Sequence, residues 1–184
     1  MKQLSMDELK RVNPDQYKAS EKMPVVVVLD NVRSGLNVGA IFRTCDAFTI
    51  QSIYLCGITA QPPHAEILKT ALGSTDSVTW KYFEKTIGAL AELKDQGYQL
   101  LPVEQTDQSI LLDQGTLVEH FPIAFIFGNE MKGISREVLA MCDKSLEIPQ
   151  SGIKHSLNVA TAAGIVLWEC YRQFRLRRFL SILL

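Results

Sequence analysis

The 184-residue sequence predicts an α/β fold: a mostly parallel sheet with helices on both faces. Three observations carry that expectation. Residues 25–29 read Val-Val-Val-Val-Leu, the β-branched run of a strand buried on both sides. Short apolar runs then alternate with segments of helical periodicity along the chain. The polar, glycine-containing clusters directly follow apolar runs, and parallel sheets bind ligands at the carboxyl ends of their strands.

The elements follow in order. Residues 1–22 form a polar, partly helical lead-in of mixed charge. The strand at 25–29 runs into a polar loop at 30–34, then into a helix at 36–48 with Val38, Ile41, Phe42 and Cys45 on one face. Residues 52–56 read as a second strand, stopped by Gly57, and Pro62 with Pro63 marks a loop. A helix at 65–72 ends at Gly73, and 77–82 is a short strand. An amphipathic helix at 84–96 has Gly97 placed just past its end. Residues 98–103 form a strand and 104–120 are less regular. A strand at 123–127 precedes a short helix at 135–141, with Ser135 as its N-cap. The last strand is 146–149. The final helix, 156–175, has Ser156 as N-cap and Asn158 in its first turn. The chain divides into a lead-in at 1–22, a single domain at 23–175 and a C-terminal tail at 176–184; the length suits one domain.

Composition narrows the function classes. At 47% hydrophobic the chain can build a core. Its first long apolar run falls far short of the roughly 20 residues of a membrane span. The first 22 residues lack the apolar centre of a secretory signal. Cys45, Cys56, Cys142 and Cys170 form no C-x-x-C pair. Together these predict a cytoplasmic protein with reduced thiols. No His, Cys and carboxylate cluster has metal-ligand spacing, so no metal is expected. A net charge of −1 argues against a nonspecific nucleic-acid coat. The run Arg172, Arg175, Arg177, Arg178 reads either as a local RNA patch or as a helix end whose cations complement the dipole.

Three segments carry candidate chemistry. The first, 31–43, follows the first strand and contains Asn31, Arg33, Asn37, Gly39 and Arg43. A strand, a glycine-containing loop and a helix start make an anion site. Neither G-x-G-x-x-G nor G-x-x-x-x-G-K-[ST] is present, which disfavours a dinucleotide dehydrogenase or a P-loop enzyme. Alone, Arg43 reads first as a surface partner of Asp46. The second, 127–133, is Phe-Gly-Asn-Glu-Met-Lys-Gly, which alone could be a strand-to-helix turn. The third, 148–158, runs Ile-Pro-Gln-Ser-Gly-Ile-Lys-His-Ser-Leu-Asn into the final helix and could be only a capped helix start. His64, His120 and His155 have no Ser–Asp or Cys partner in the sequence.

In this order, N-x-R-x-x-x-N-x-G-x-x-x-R, F-G-N-E-x-x-G and I-P-x-x-G-x-x-x-S-L-N resemble the SpoU branch of the SPOUT RNA methyltransferases, and residues 24–171 take part. The resemblance implies a C-terminal trefoil knot, a homodimer with active sites near the knot, and S-adenosylmethionine as cofactor. It implies catalytic roles for Asn37, Arg43, Glu130, Ser156 and Asn158. It places the cofactor, held largely by backbone, at Val103, Glu104, Gly128, Asn129, Ile148, Gln150, Ser156 and Leu157. Gln150 departs from the pattern, because many relatives have an apolar residue there. The implied reaction is methylation of a ribose 2′-hydroxyl, with transfer RNA the first expectation and ribosomal RNA the second. Arg33, Arg43, Lys132 and Lys154 would meet RNA phosphates. Arg43 is too basic for an ordinary general base, so phosphate binding or alkoxide stabilisation is the expected role; Glu130 would steer it or bind RNA. The alternatives are base methylation on the same fold, a non-catalytic RNA-binding protein, and an unrelated nucleotide-binding domain.

Overall fold

A computed structural model describes residues 1–5, 8, 12 and 14–183. In chain order the elements are α1 (Pro14–Ala19), β1 (Met23–Asp30), α2 (Gly35–Ala47), β2 (Ile50–Cys56), α3 (Ala65–Ala71), α4 (Ser74–Ser77), β3 (Trp80–Phe83), α5 (Thr86–Asp95), β4 (Gln99–Pro102), β5 (Ser109–Leu111), a 3-10 turn (Leu117–His120), β6 (Ile123–Phe127), α6 (Arg136–Leu139), β7 (Ser145–Glu147) and α7 (Val159–Leu183). Five strands form one sheet in the order β3-β2-β1-β6-β4, and every pairing is parallel.

The valine run explains the layering. Side chains alternate across a strand, so Val25, Val27 and Leu29 enter a core shared with Phe42 of α2, Ile67 of α3 and Val166 and Leu167 of α7. Val26 and Val28 enter a second core with Leu90 and Leu93 of α5 and Val138 of α6. Helices therefore cover both faces, as the sequence predicts. The strand at 123–127 falls where expected, and Gly97 adopts φ +81° past the end of α5, donating to the Lys94 carbonyl at 2.9 Å.

Several boundaries differ. Residues 104–120 are not simply irregular: β5 pairs with β7 in a second, two-stranded parallel sheet. This sheet joins the main one through a bridge from Val103 to Leu146. At three residues, each strand is too short to show a period in sequence. The one-turn α4 is polar throughout and equally silent. Ser135 has the extended backbone of an N-cap, but its side chain makes no capping bond. Ser156 is not the cap of the final helix. Asn158 is: its Oδ1 accepts from the backbone N–H groups of Ala160 (2.9 Å) and Thr161 (3.2 Å). The helix does not stop at 175 either; it runs unbroken through most of the segment read as a tail, which contains neither Gly nor Pro to end it. Within the lead-in, 14–19 is helical, while residues 6, 7, 9–11 and 13 lie outside the described residues. The basic run is partly neutralised, since Arg172 pairs with Glu169 (2.7 Å) and Arg178 with Glu21 (3.1 Å).

Gly39 lets α2 and α3 touch. A Cβ there would collide with the Thr70 hydroxyl and the Ile67 carbonyl. Replacing glycine inside a helix normally gains about 1 kcal/mol, but overpacking against an immobile backbone costs about 1–3 kcal/mol. Gly39→Ala should therefore lower stability despite its better helix propensity, and Gly39→Val should lower it further. Urea denaturation midpoints that stay at or above the wild-type value would show that α3 can yield.

Candidate active site

The carboxyl ends of β4, β6 and β7 open into a cleft of about 770 Å³, within the size range of small-molecule sites. All eight residues expected to hold the cofactor line it: Val103, Glu104, Gly128, Asn129, Ile148, Gln150, Ser156 and Leu157. Glu130, Lys132 and Asn158 line it as well; Asn37, Arg33, Arg43 and Lys154 do not.

The cleft wall is largely loop backbone held at close quarters. A Cβ on Gly128 would strike the Gly133 backbone, so this position must be glycine for the 128–133 turn to close. The turn is locked by reciprocal backbone bonds between Asn129 and Gly133 (3.0 and 2.9 Å). Asn129 Oδ1 also accepts from the N–H groups of Met131 and Lys132. Opposite, Glu104 accepts from Ile134 N–H (3.2 Å) and Gln105 N–H (3.1 Å). Ile134, Leu139 and Leu146 supply an apolar wall. An aromatic base with an apolar face and hydrogen-bonding edges, ribose hydroxyls and a cationic end can each find a partner here, so the residues fit S-adenosylmethionine.

At the mouth, the expected catalytic residues form a relay. Glu130 Oε1 accepts from Ser34 N–H (3.0 Å) and from the Asn37 amide (2.9 Å), and Oε2 accepts from Arg33 N–H (2.9 Å). Asn37 Oδ1 accepts from the Asn158 amide (3.1 Å). Asn158 then caps α7. The loop after β6, the start of α2 and the start of α7 are thus joined by three side chains. Burial pushes the Glu130 carboxyl up, but the hydrogen bonds from Arg33, Asn37, its own N–H and Ser34 outweigh it and hold the group below the ordinary glutamate range.

Arg43 stands apart. It is exposed, roughly 9 Å along α2 from Asn37 at 1.5 Å per residue. Within this chain Glu130 makes no contact with it; its oxygens accept from Arg33, Ser34 and Asn37. Nor does Asp46 pair with it; that carboxylate accepts from the Ser77 hydroxyl. Among histidines, His155 lines the cleft, His64 is exposed ahead of α3 beside Gly35, and the His120 side chain lies outside the described residues. The sequence assigns no bracing role to Asp30, Asn31, Thr86 or Ser135, which are joined beneath the site; Asn31 entered only as the start of the first motif and Ser135 only as a cap. A charged residue ending a run of valines was the one available signal. Among the described residues, no group of three His, Cys, Asp or Glu side chains could hold a metal ion.

Residues 24–168 match the model of the SpoU rRNA methylase family. The chain belongs to that family. The tRNA (guanosine(18)-2′-O)-methyltransferase of Aquifex aeolicus is 32% identical over 155 residues, 81% of this chain and 69% of the relative. The solved structure of the A. aeolicus TrmH/SpoU tRNA modifying enzyme is similar with a TM-score of 0.79 at 29% identity, covering 91% of this chain and 84% of that one. An AdoMet-bound rRNA methyltransferase from Sinorhizobium meliloti gives 0.76 at 28% identity, covering 85% of this chain but only 59% of that one. The motif resemblance drawn from 31–43, 127–133 and 148–158 is thereby borne out. In this SpoU-family chain, the cleft and the relay lie where the three motifs converge.

The lowered Glu130 carboxyl ties the relay to pH. A carboxyl depressed in the folded state stabilises above its unfolded value and loses that contribution as pH falls through the folded value. The stability gap between wild type and Glu130→Gln should therefore be widest at neutral pH and narrow in acid. Denaturant unfolding across that range checks it; a gap that does not change with pH would mean that the charge on Glu130 contributes nothing.

Proposed function

We propose that this chain methylates a ribose 2′-hydroxyl of transfer RNA, as a cytoplasmic homodimer. The reaction class follows from the family: it is an S-adenosylmethionine-dependent RNA 2′-O-methyltransferase. The observation that carries the site assignment is the Glu130–Asn37–Asn158 relay at the mouth of a cleft that fits the cofactor. When bound, S-adenosylmethionine supplies an already activated methyl group. The protein's task is then alignment of a weak nucleophile, which alone can lower a barrier by several kcal/mol. Ser156 and the amide of Asn158 lie at the cleft and can hold the ribose. Arg43 grips the adjoining phosphate or stabilises the developing alkoxide. Arg33, Lys132 and Lys154 are exposed around the mouth and meet further phosphates. The trefoil knot belongs to the same reading, with 148–158 returning from β7 along the wall formed by the loops after β4 and β6.

Transfer RNA is favoured over ribosomal RNA because the chain matches the tRNA-modifying enzyme over most of that enzyme's length. The dimer is supported by two features. Arg43 does not line its own chain's cleft, so a second copy is the natural source of a complete site. And α2 with α7 leaves Leu36, Ile165 and Trp168 exposed, Trp168 at 52%. Tyr171 is spoken for, stacked on Phe48 at 5.1 Å, whereas a Cβ at Gly164 meets nothing within its own chain. Covering one such large side chain contributes about 1.5–3 kcal/mol, and a two-fold interface counts it twice.

Incubation with labelled S-adenosylmethionine and total cellular RNA should place the label in 2′-O-methylated nucleosides of the transfer-RNA fraction. Label on a base, in ribosomal RNA alone, or nowhere would sink this reading. Cofactor binding should persist in a metal chelator by calorimetry.

Two substitutions test the residue roles. Arg43→Ala should lower kcat by about a hundredfold or more, the scale of losing one transition-state donor, with cofactor affinity intact; near wild-type transfer would remove Arg43 from the mechanism. Gly164→Trp should shift sedimentation from dimer to monomer and abolish transfer. A stable, active Gly164→Trp dimer would put the interface elsewhere.

A further inference from the structure

β1 ends in a buried charge. Asp30 follows four valines and a leucine and is 2% exposed. Such a carboxylate needs every acceptor satisfied. Its Oδ1 accepts from the Thr86 hydroxyl (2.6 Å) and the Asn31 amide (2.8 Å), and its Oδ2 accepts from Ser135 N–H (3.2 Å). Asn31 adopts φ +57°, a left-handed conformation that asparagine tolerates better than most residues. Its Oδ1 accepts from Ile58 N–H (3.2 Å), and its carbonyl accepts from the Asn129 amide (2.8 Å). The 129–135 segment is therefore fastened at both ends to two consecutive residues, Asn129 to Asn31 and Ser135 to Asp30. Glu130 lies between the fasteners, and its own partners, Arg33 and Ser34, begin two residues beyond Asn31.

We propose that Asp30 and Asn31 are a positioning pair for methyl transfer. They set the distance between the loop carrying Glu130 and the helix end carrying Asn37, and through it the alignment of Asn37 with Asn158. The inference rests on the methyltransferase reading above. Neither residue lines the cleft, so both act through Glu130. Their pairing has a polarity that can be reversed. Asp30 offers only acceptors and Asn31 donates. Asp30→Asn therefore sets donor against donor at Asn31 or at Ser135, whichever way the new amide turns. Adding Asn31→Asp repairs this. The amide at 30 then donates to the carboxylate at 31 and to the Thr86 oxygen, its own oxygen still accepts from Ser135, and the carboxylate still accepts from Ile58.

The test uses the full chain with Asp30→Asn, Asn31→Gly and the double Asp30→Asn/Asn31→Asp. It measures transfer to total transfer RNA, S-adenosylmethionine binding, melting, and amide hydrogen exchange at Arg33 and Ser34. Each single variant should lose about tenfold or more in kcat, since a displacement of roughly 1 Å can cost about a hundredfold. The KM for RNA and the cofactor Kd should stay within about twofold, the pattern of a lost transition-state alignment. Exchange at Arg33 and Ser34 should quicken, and the double variant should restore both rate and protection. Wild-type kcat or wild-type protection in folded single variants overturns the proposal, as does a double variant no better than Asp30→Asn. Asn31→Gly keeps the left-handed backbone and decides between the same outcomes if Asp30→Asn does not fold. Exchange needs no activity, so a wild type that fails to methylate RNA overturns the function while exchange still decides the positioning.

Discussion

Glu130 reaches from the loop after β6 to the amino end of α2 and takes N–H groups there that a helix cannot satisfy internally. The first turn of α2 has no acid of its own, so the favourable charge at its positive end comes from a residue 96 positions beyond Ser34. Everything at the cleft mouth follows from that reach. Asn37 is turned by the same carboxylate, Asn158 is turned by Asn37, and α7 starts where Asn158 caps it. Glycine at 128 and 133 is the steric condition, because a side chain at 128 would stop the turn from closing behind Glu130.

The same bonds limit the chemistry. A carboxylate that accepts several hydrogen bonds and is held below its ordinary range is a poor proton acceptor at neutral pH. Glu130 is thus an anchor, not a base. Asn37 and Asn158 have no titrating group. The relay can orient a ribose and exclude wrong geometries, and a reaction on an activated methyl asks mainly for that. The remaining demand, stabilising charge on the nucleophilic oxygen or its phosphate, suits a cation that never loses its proton, the role proposed above for Arg43. Six residues turn an α-helix by about 600°, so Arg43 lies roughly 120° around α2 from Asn37 as well as further along it.

The sheet was legible because its signals are local and repeated. Four valines in a row, apolar runs at 52–56 and 123–127, and glycines past helix ends each report a period or a backbone conformation. The β5–β7 sheet was not, since a three-residue strand has no period and its pairing spans more than thirty residues of chain. The start of α7 was misread by two residues. Ser156 and Asn158 are both good caps in sequence, and only the tertiary bond to Asn37 selects between them. The residues expected to hold the cofactor came from the family resemblance, since composition does not single out loop backbone. The pairing of Asp30 with Asn31 was not legible, because a polar strand end looks like an ordinary loop start. Only the fold shows that Asp30 is buried.

The acids and the bases at the mouth are held in different ways. Counted over the chain, acids outnumber bases by one, which gives no hint of a surface for a polyanion. Locally the balance differs. Glu104 and Glu130 turn their oxygens onto backbone N–H groups inside the turns. Arg33, Lys132 and Lys154 stand exposed, with no acidic partner among the described residues. Those bonds hold the two carboxylates in fixed positions without neutralising them, whereas the three cations are free to move.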